Sequence, residues 1–255
     1  MRHEIFDLFH LSHIIGSVVL TVLILYLANK FLKTQKQKNI FLKILGISTF
    51  ILHIIPLWFN FLRDGETFVY DNMLFPIYYC NLTMFLLLIT VLVENKQSKA
   101  FKYLAVMVAY ASIIGSLVTL FYPDYYFASE ENGLQLYKSF LSHDVMLISG
   151  IYLIMGGFVK IEHKNTIAYT IGLLFYGLVG LIVNFLFEIN NLETPNAMYL
   201  KAPPIEDVPI LSVYVVSLLT VLFVAGMQFI YLKITRKEES GKYLTQWSKY
   251  QYLST

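Results

Sequence analysis

LFPIYYCNLTMFLLLITVLV, residues 74–93, is a run of 20 residues without a charged side chain. An α-helix rises about 1.5 Å per residue, so a helix of this length measures about 30 Å. The hydrocarbon core of a lipid bilayer has about the same thickness. We therefore predict that residues 74–93 form a membrane-spanning helix.

Six further apolar runs of similar length flank this one. Hydrophobic residues make up 57% of the 255 residues and charged residues only 14%, whereas a soluble domain usually has about 25% charged residues. This composition excludes a disordered chain and a nucleic-acid-binding basic domain. The predicted spans are Leu8–Leu32, Phe41–Leu62, Leu74–Val93, Phe101–Phe121, Ser139–Val159, Thr166–Glu188 and Pro209–Leu232. We expect an all-α polytopic membrane protein, a seven-transmembrane-helix bundle that forms a single domain over residues 1–232.

The distribution of basic residues predicts the orientation of the bundle. Cytoplasmic connections of membrane proteins carry an excess of Lys and Arg. With the N-terminus outside, Arg2, Arg63, Lys138 and Lys201 face outward, and the other 15 of the 19 basic residues face the cytoplasm. We therefore expect an outside N-terminus and a cytoplasmic C-terminus, with residues 233–255 as a polar cytoplasmic tail.

Four of the predicted helices carry reactive or polar side chains at a similar depth. At about 1.5 Å per residue from the outer helix ends, Cys80 and Asn184 lie about 6 Å deep, His143 about 7–8 Å and His13 about 9 Å. Asn81 follows Cys80 directly. Ionisable or strongly polar groups inside a membrane are costly, and each is a functional hypothesis. The shared depth therefore predicts an interior cavity in the outer half of the bundle.

This layer of side chains is suited to nucleophilic catalysis by cysteine. A neighbouring base favours the thiolate, which makes Cys80 the candidate nucleophile and His143 the candidate base. Asn81, Thr83 and Asn184 are candidate hydrogen-bond donors to an oxyanion. On this interpretation Cys80 attacks an acyl ester or thioester, and a hydroxyl or water then accepts the acyl group.

Other roles are open for the same residues. His13 is either a second acid–base group or a group that orients His143. A lone cysteine in a membrane helix is commonly a small packing residue, and a lone histidine commonly bonds to a neighbouring helix. His53 falls near mid-bilayer by the same depth estimate, apart from the other side chains, and we expect it to be structural.

We expect no metal site and no cofactor. The chain has one cysteine, which excludes an internal disulfide framework and any site with several cysteine ligands. His10 and His13 share a helix face, but two histidines at this spacing are a weak indication of a metal site on their own.

Four short segments resemble, in order and spacing, the motifs of the YwaF-like integral membrane proteins. They are LFHLSHIIGS (residues 8–17), LFPIYYCNLTMFLLL (74–88), FLSHDVMLI (140–148) and VNFLFEINNLETPNAMYLKAPP (183–204). The resemblance covers nearly the whole chain. The YwaF-like group is in turn similar to the animal transmembrane protein 164 family.

The resemblance implies lipid chemistry at a cysteine and a histidine. The transmembrane protein 164 family is assigned to lipid acyl transfer with these two residue types as catalytic candidates. By position, the two roles fall on Cys80 and His143. The resemblance thus implies an acyltransferase or transacylase of the bacterial plasma membrane, with a membrane lipid as acyl donor or acceptor. The alternative is a non-catalytic membrane receptor or binding protein that holds a lipid or small ligand in the same cavity.

Overall fold

The described part of the chain consists of helices and their connections. A computed structural model describes residues 6–59, 71–123, 134–204 and 208–240, and these residues form seven long helices and no β-strand. The long helices are α1 (Leu8–Phe31), α2 (Gln35–Ile54), α3 (Tyr79–Leu92), α4 (Lys99–Phe121), α5 (Leu134–Met155), α6 (Lys164–Ile189) and α7 (Val213–Ser240). The prediction of an all-α fold is confirmed for these residues.

Five of these helices are long and apolar enough to cross a membrane: α1, α2 with the turn after it, α4, α6 and α7. Helix α5 has 22 residues, but Lys138 and Asp144 lie within it. The membrane character is therefore confirmed, whereas the count of seven spans stays a prediction. So does the orientation, since two of its basic residues, Arg2 and Arg63, lie outside the described part of the chain.

Helix α3 is shorter than predicted. The apolar run starts at Leu74, but the helix starts at Tyr79 and has 14 residues, about 21 Å of rise. The backbone before Tyr79 forms a hydrogen bond to another segment and not within the helix: the carbonyl oxygen of Ile77 accepts from the backbone N–H of Met198 at 2.8 Å. The connection between α6 and α7 thus packs against the entry into α3.

Helix α2 also ends earlier than the apolar run suggests. The α-helix stops at Ile54 and passes into a one-turn 3-10 helix, Ile55–Leu57, with Pro56 in its first turn. Proline cannot donate a backbone hydrogen bond to continue the α-helix. The predicted end at Leu62 lies outside the described residues. This early end places His53 in the last turn of α2.

Four helices form the centre of the bundle. Helices α2 and α4 each pack against both α3 and α5, so α3 and α5 stand diagonally across the centre. Every residue of α4 from 105 to 116 is buried. Helix α1 packs against α5, α6 against α4, and α7 against α6, and the outer faces of these three helices expose many apolar side chains. This is the arrangement expected where lipid covers the outside.

Lys96 closes the C-terminal end of α3. Its Nζ donates to the carbonyl oxygens of Thr90 at 3.3 Å and Val91 at 3.0 Å, and it lies 4.6 Å from the ring centre of Phe101. A cation here satisfies carbonyl groups that have no partner within the helix. Partial burial, followed by the charge of Lys43, lowers the pKa of Lys96 to about 8.

Candidate functional site

Cys80 lies in the first turn of α3, with its thiol directed toward α4. Its Sγ atom is 3.7 Å from Oγ1 of Thr119. A Cβ atom built on Gly115 would lie 3.1 Å from Sγ, so the thiol occupies the space left by the missing side chain of Gly115. Cys80 is half-buried. The candidate nucleophile is thus packed against α4, between Gly115 and Thr119, which are one helical turn apart.

Tyrosine side chains between α3 and α6 hold α3 in this rotation. The hydroxyl groups of Tyr79 and Tyr169 are 3.1 Å apart, and those of Thr83 and Tyr176 are 2.9 Å apart. Residues 79 and 83 share one helix face because they are four positions apart. With this face against α6, Cys80 points about 100° away from it, toward α4.

Thr83 has a packing role in this arrangement. Its hydroxyl donates to the carbonyl oxygen of Tyr79 at 2.8 Å. A threonine hydroxyl carries one proton, so in the pair with Tyr176 the tyrosine is the donor. Thr83 therefore has no proton left for the oxyanion that the sequence suggested it could bind.

His143 lies five residues after Lys138 on α5. Its hydrogen bond determines which ring nitrogen carries the proton. Its Nδ1 is 2.8 Å from the carbonyl oxygen of Ser139. A carbonyl oxygen only accepts, so Nδ1 must carry the proton and donate it. In the neutral ring the lone pair is therefore on Nε2. This is the protonation state that a general base requires, with Nε2 as the basic atom.

His13 and Asp144 form a polar contact between α1 and α5. Nε2 of His13 is 3.8 Å from Oδ1 of Asp144, and the Ser17 hydroxyl donates to the same oxygen at 2.6 Å. The ring of His13 stacks on Phe140 with 3.8 Å between ring centres. Asp144 directly follows His143 on α5. The structure therefore places His13 against the neighbour of His143 in the chain.

His53 is buried where α2 meets α3. Because α2 ends at Ile54, His53 lies in the last turn of its helix. Its ring meets Phe85 edge-on at 5.9 Å. Its Nε2 is buried and has no hydrogen-bond partner among the residues that the structure describes.

The two predicted asparagines lie on different sides of α3. The side-chain amide of Asn184 is used by Ala197: its Oδ1 accepts from the backbone N–H at 2.8 Å, and its Nδ2 donates to the carbonyl at 3.3 Å. Asn184 thus holds the connection between α6 and α7. Asn81 precedes Phe85 by four residues and so shares the face of α3 that meets α2. Asn81 is half-buried beside Cys80.

Contacts of α1 show that α4 and α5 are antiparallel. Nε2 of His10, near the start of α1, is 2.8 Å from the carbonyl oxygen of Leu120, near the end of α4. The ring of Phe9, one residue earlier, meets Tyr137 at 5.7 Å, near the start of α5. The end of α4 and the start of α5 are therefore level with each other.

The close packing of α4 on α5 sets the level of His143. A Cβ atom built on Gly150 would lie 2.8 Å from both the carbonyl oxygen of Ala109 and the Cβ of Ser112. His143 precedes Gly150 by seven residues, nearly two helical turns, and so lies on the same face. Thr119 follows Ser112 by the same interval. On an ideal helix this register puts His143 on the side of α5 that faces α4.

Cys80 and His143 therefore lie on α3 and α5, the two central helices that both pack against α4. Sequence reasoning selected both residues but did not find Thr119, which stands between their helices. A threonine in an apolar helix gives no sequence signal of such a position. The described residues contain no group of three or more His, Cys, Asp or Glu side chains arranged to hold a metal ion.

Comparison with known families supports the resemblance seen in the motifs. The family model described as the TMEM164 family matches residues 5–233. Searches of curated proteins and of solved structures return no match. The family match spans all seven long helices up to the last turns of α7. The chain belongs to the TMEM164 family.

Proposed function

We propose that this protein transfers acyl groups to or from membrane lipids, with Cys80 as nucleophile and His143 as base. The observation that carries the proposal is that the helices of Cys80 and His143 both pack against α4, with the thiol in contact with that helix. The Nδ1 hydrogen bond of His143 to Ser139 supports it, because this bond leaves Nε2 as the proton acceptor. The apolar surroundings suit an acyl chain.

The reaction has two half-reactions. The Cys80 thiolate attacks the carbonyl carbon of an acyl ester, a C–S bond forms, and the ester C–O bond breaks. The leaving alkoxide takes the proton that His143 removed from the thiol. A second hydroxyl then attacks the thioester, so that a new ester C–O bond forms and the C–S bond breaks. The proton of this hydroxyl passes to His143 and then to the Cys80 sulfur, which restores the thiol and the neutral imidazole. His13 and Asn81 are the proposed surrounding groups of this site, whereas Asn184 holds the connection between α6 and α7.

A binding protein without catalysis is the second candidate. One observation favours it: the thiol of Cys80 packs into the space at Gly115, as a purely structural cysteine does. Such a protein would hold a lipid or small ligand between the central helices and would not need a thiolate. The location is a membrane in either case, and we propose the bacterial plasma membrane.

Thiol reactivity separates the two candidates. Cys80 is the only cysteine, so an iodoacetamide with a long alkyl chain can modify one thiol, and intact-protein mass spectrometry gives the rate. We expect rapid modification of the purified wild type and a rate lower by about 100-fold or more in His143→Ala, the range of general base catalysis. Labelling of His143→Ala at the wild-type rate would favour the binding protein.

A matched histidine provides the control. His163 lies before α6 and is exposed, so His163→Ala removes an imidazole far from Cys80 and should leave the rate unchanged. Cys80→Ala should show no adduct. A transfer reaction is then tested directly by incubation with phosphatidylcholine vesicles, in which wild type should gain the mass of one acyl group and Cys80→Ala should not.

A further inference from the structure

We infer that a cleft at the end of the bundle opposite Cys80 binds the phosphate group of a membrane phospholipid. The cleft lies where α1 ends, α2 begins and α5 ends, and the polar side chains that line it are Asn29, Lys38 and Tyr152. The start of α1 is level with the end of α4, where Cys80 packs, so the cleft and Cys80 lie at opposite ends. The cleft is therefore separate from the acyl-transfer site proposed above, and neither proposal depends on the other.

The first support is the hydroxyl group of Tyr152. Tyr152 is 4% exposed, and its buried hydroxyl has no hydrogen-bond partner among the residues that the structure describes. Its ring is held by Phe41, edge-on at 4.8 Å, and by Phe158 at 6.2 Å. A buried hydroxyl without a partner is costly. Because Tyr152 lines the cleft, a ligand bound there can supply the missing partner.

The second support is the charge at the cleft. Lys38 lines the cleft and is half-buried, and its amino group has no ion pair or hydrogen bond within the described part of the chain. The neighbouring Lys33 is already in use, because its Nζ donates to the carbonyl oxygen of Asn29 at 3.1 Å. The sequence has no Asp or Glu from residue 8 to residue 63. The cleft therefore favours an anion.

The third support is the place of the cleft at the edge of the apolar surface. Asn29 and Met155 line it and are exposed, so the cleft opens to the outside of the bundle. Tyr26 and Phe31, at the same end of α1, are exposed as well, and acyl chains can lie along them. Residues 30–43 contain five lysines, and such clusters beside a membrane helix bind anionic lipid headgroups. A phospholipid is therefore the source of phosphate that fits this place.

The size of the cleft determines how much of the phosphate enters it. Its volume is about 20 Å³, which is enough for one oxygen atom of the size of a water molecule. One phosphate oxygen enters the cleft and accepts a hydrogen bond from the Tyr152 hydroxyl. The other oxygens stay at the mouth, where the amino group of Lys38 and the amide of Asn29 can donate to them.

The test measures binding of dioleoyl phosphatidylglycerol to the detergent-purified protein by native mass spectrometry. Tyr152→Phe keeps the ring and removes only the hydroxyl. We expect it to weaken binding by about tenfold or more, since a hydrogen bond to a charged group contributes about this factor. Lys38→Gln should weaken binding in the same way, because it removes the positive charge and keeps a long side chain.

Two exposed residues provide matched controls. Tyr103→Phe also removes a tyrosine hydroxyl, and Lys36→Gln lowers the net charge by the same amount as Lys38→Gln. Tyr103 is 62% exposed, Lys36 is exposed, and neither lines the cleft. Both variants should bind phosphatidylglycerol like wild type.

Thermal unfolding gives a second measurement that separates lost binding from lost folding. Without added lipid, Tyr152→Phe should unfold at the temperature of wild type or above it, because the substitution removes an unpartnered buried hydroxyl. Added phosphatidylglycerol should raise the unfolding temperature of wild type, since a ligand that binds the folded state stabilises it. The rise should be smaller for Tyr152→Phe and Lys38→Gln.

Two further ligands separate a phospholipid from other sources of the same chemistry. Dioleoylglycerol has the same acyl chains without the phosphate, and inorganic phosphate has no chains, so both should bind more weakly than phosphatidylglycerol. The proposal is overturned if Tyr152→Phe and Lys38→Gln bind phosphatidylglycerol like wild type. It is also overturned if dioleoylglycerol binds as tightly, or if inorganic phosphate raises the unfolding temperature as much as the lipid does.

Discussion

At the scale of single residues, Tyr79 determines the direction in which the side chain of its neighbour Cys80 points. No hydrophobic pattern in the sequence predicts this. Its hydroxyl pairs with that of Tyr169, and its ring lies 4.7 Å from the ring of Tyr176. A buried hydroxyl without a partner is costly, so this pairing favours one rotation of α3. The direction of the thiol therefore follows from a contact about 100° away around the helix.

Tyr79→Phe tests this role. The substitution keeps the ring but removes one hydroxyl of the buried pair, and we expect it to lower the free energy of unfolding by about 1 kcal/mol. Thermal unfolding in detergent measures the change. Tyr214→Phe on α7 is the control, because Tyr214 is 72% exposed and should tolerate the loss. Equal stability of the two variants would show that the Tyr79–Tyr169 contact contributes nothing.

The candidate residues themselves followed from the sequence, but their partners did not. Cys80, His143 and His13 stood out because ionisable and reactive groups are rare in membrane helices. Asp144, for example, accepts a hydrogen bond from Ser17 on α1. Pairing of this kind depends on which faces of two helices meet, which residue type alone does not encode.

At the element scale, the contact between α4 and α5 places His143. Gly150 permits it, since any side chain there would collide with the backbone of Ala109. Sequence reasoning located both helices and gave their lengths to within a few residues. It could not give their register, because a run of apolar residues looks the same when shifted by one turn.

Gly150→Ala should separate α4 from α5. The added methyl group would lie 2.8 Å from a carbonyl oxygen that cannot move without bending α4, so we expect a loss of about 1–3 kcal/mol in the free energy of unfolding. Gly226→Ala on α7 is the control, with nothing within 4 Å of the new atom. It should be neutral or stabilising by up to about 1 kcal/mol, because alanine favours a helix. The unfolding temperatures of the two variants are measured in the same detergent. An unfolding temperature of Gly150→Ala equal to that of wild type would contradict the close packing of α4 on α5.

On the scale of the whole molecule, His13, His53 and His143 gather at the end of the bundle where α1 begins. The predicted orientation puts this end outside the cell. A site there would meet lipids of the outer leaflet, so the orientation bears on which lipids are substrates.

Orientation is tested with new cysteines in a Cys80→Ser background. Lys201→Cys, between α6 and α7, should react with a membrane-impermeant maleimide added to intact cells. Lys36→Cys, at the start of α2, should react only after the cells are permeabilised. Both lysines are exposed, so access to the reagent depends on the side of the membrane. The reverse pattern would place the N-terminus and the histidine cluster on the cytoplasmic side.

The sequence by itself determined the membrane character, the positions of the long helices, the family and the candidate nucleophile and base. These properties depend on long apolar runs and on rare residue types. Both can be read from the sequence without knowing which helices contact each other. Only the tertiary structure decided the rotations and register of the helices, and with them the contacts of Cys80 and Thr83. The physical reason is that lipid is as apolar as the protein interior. An apolar helix therefore does not reveal from its sequence which side faces lipid and which faces another helix.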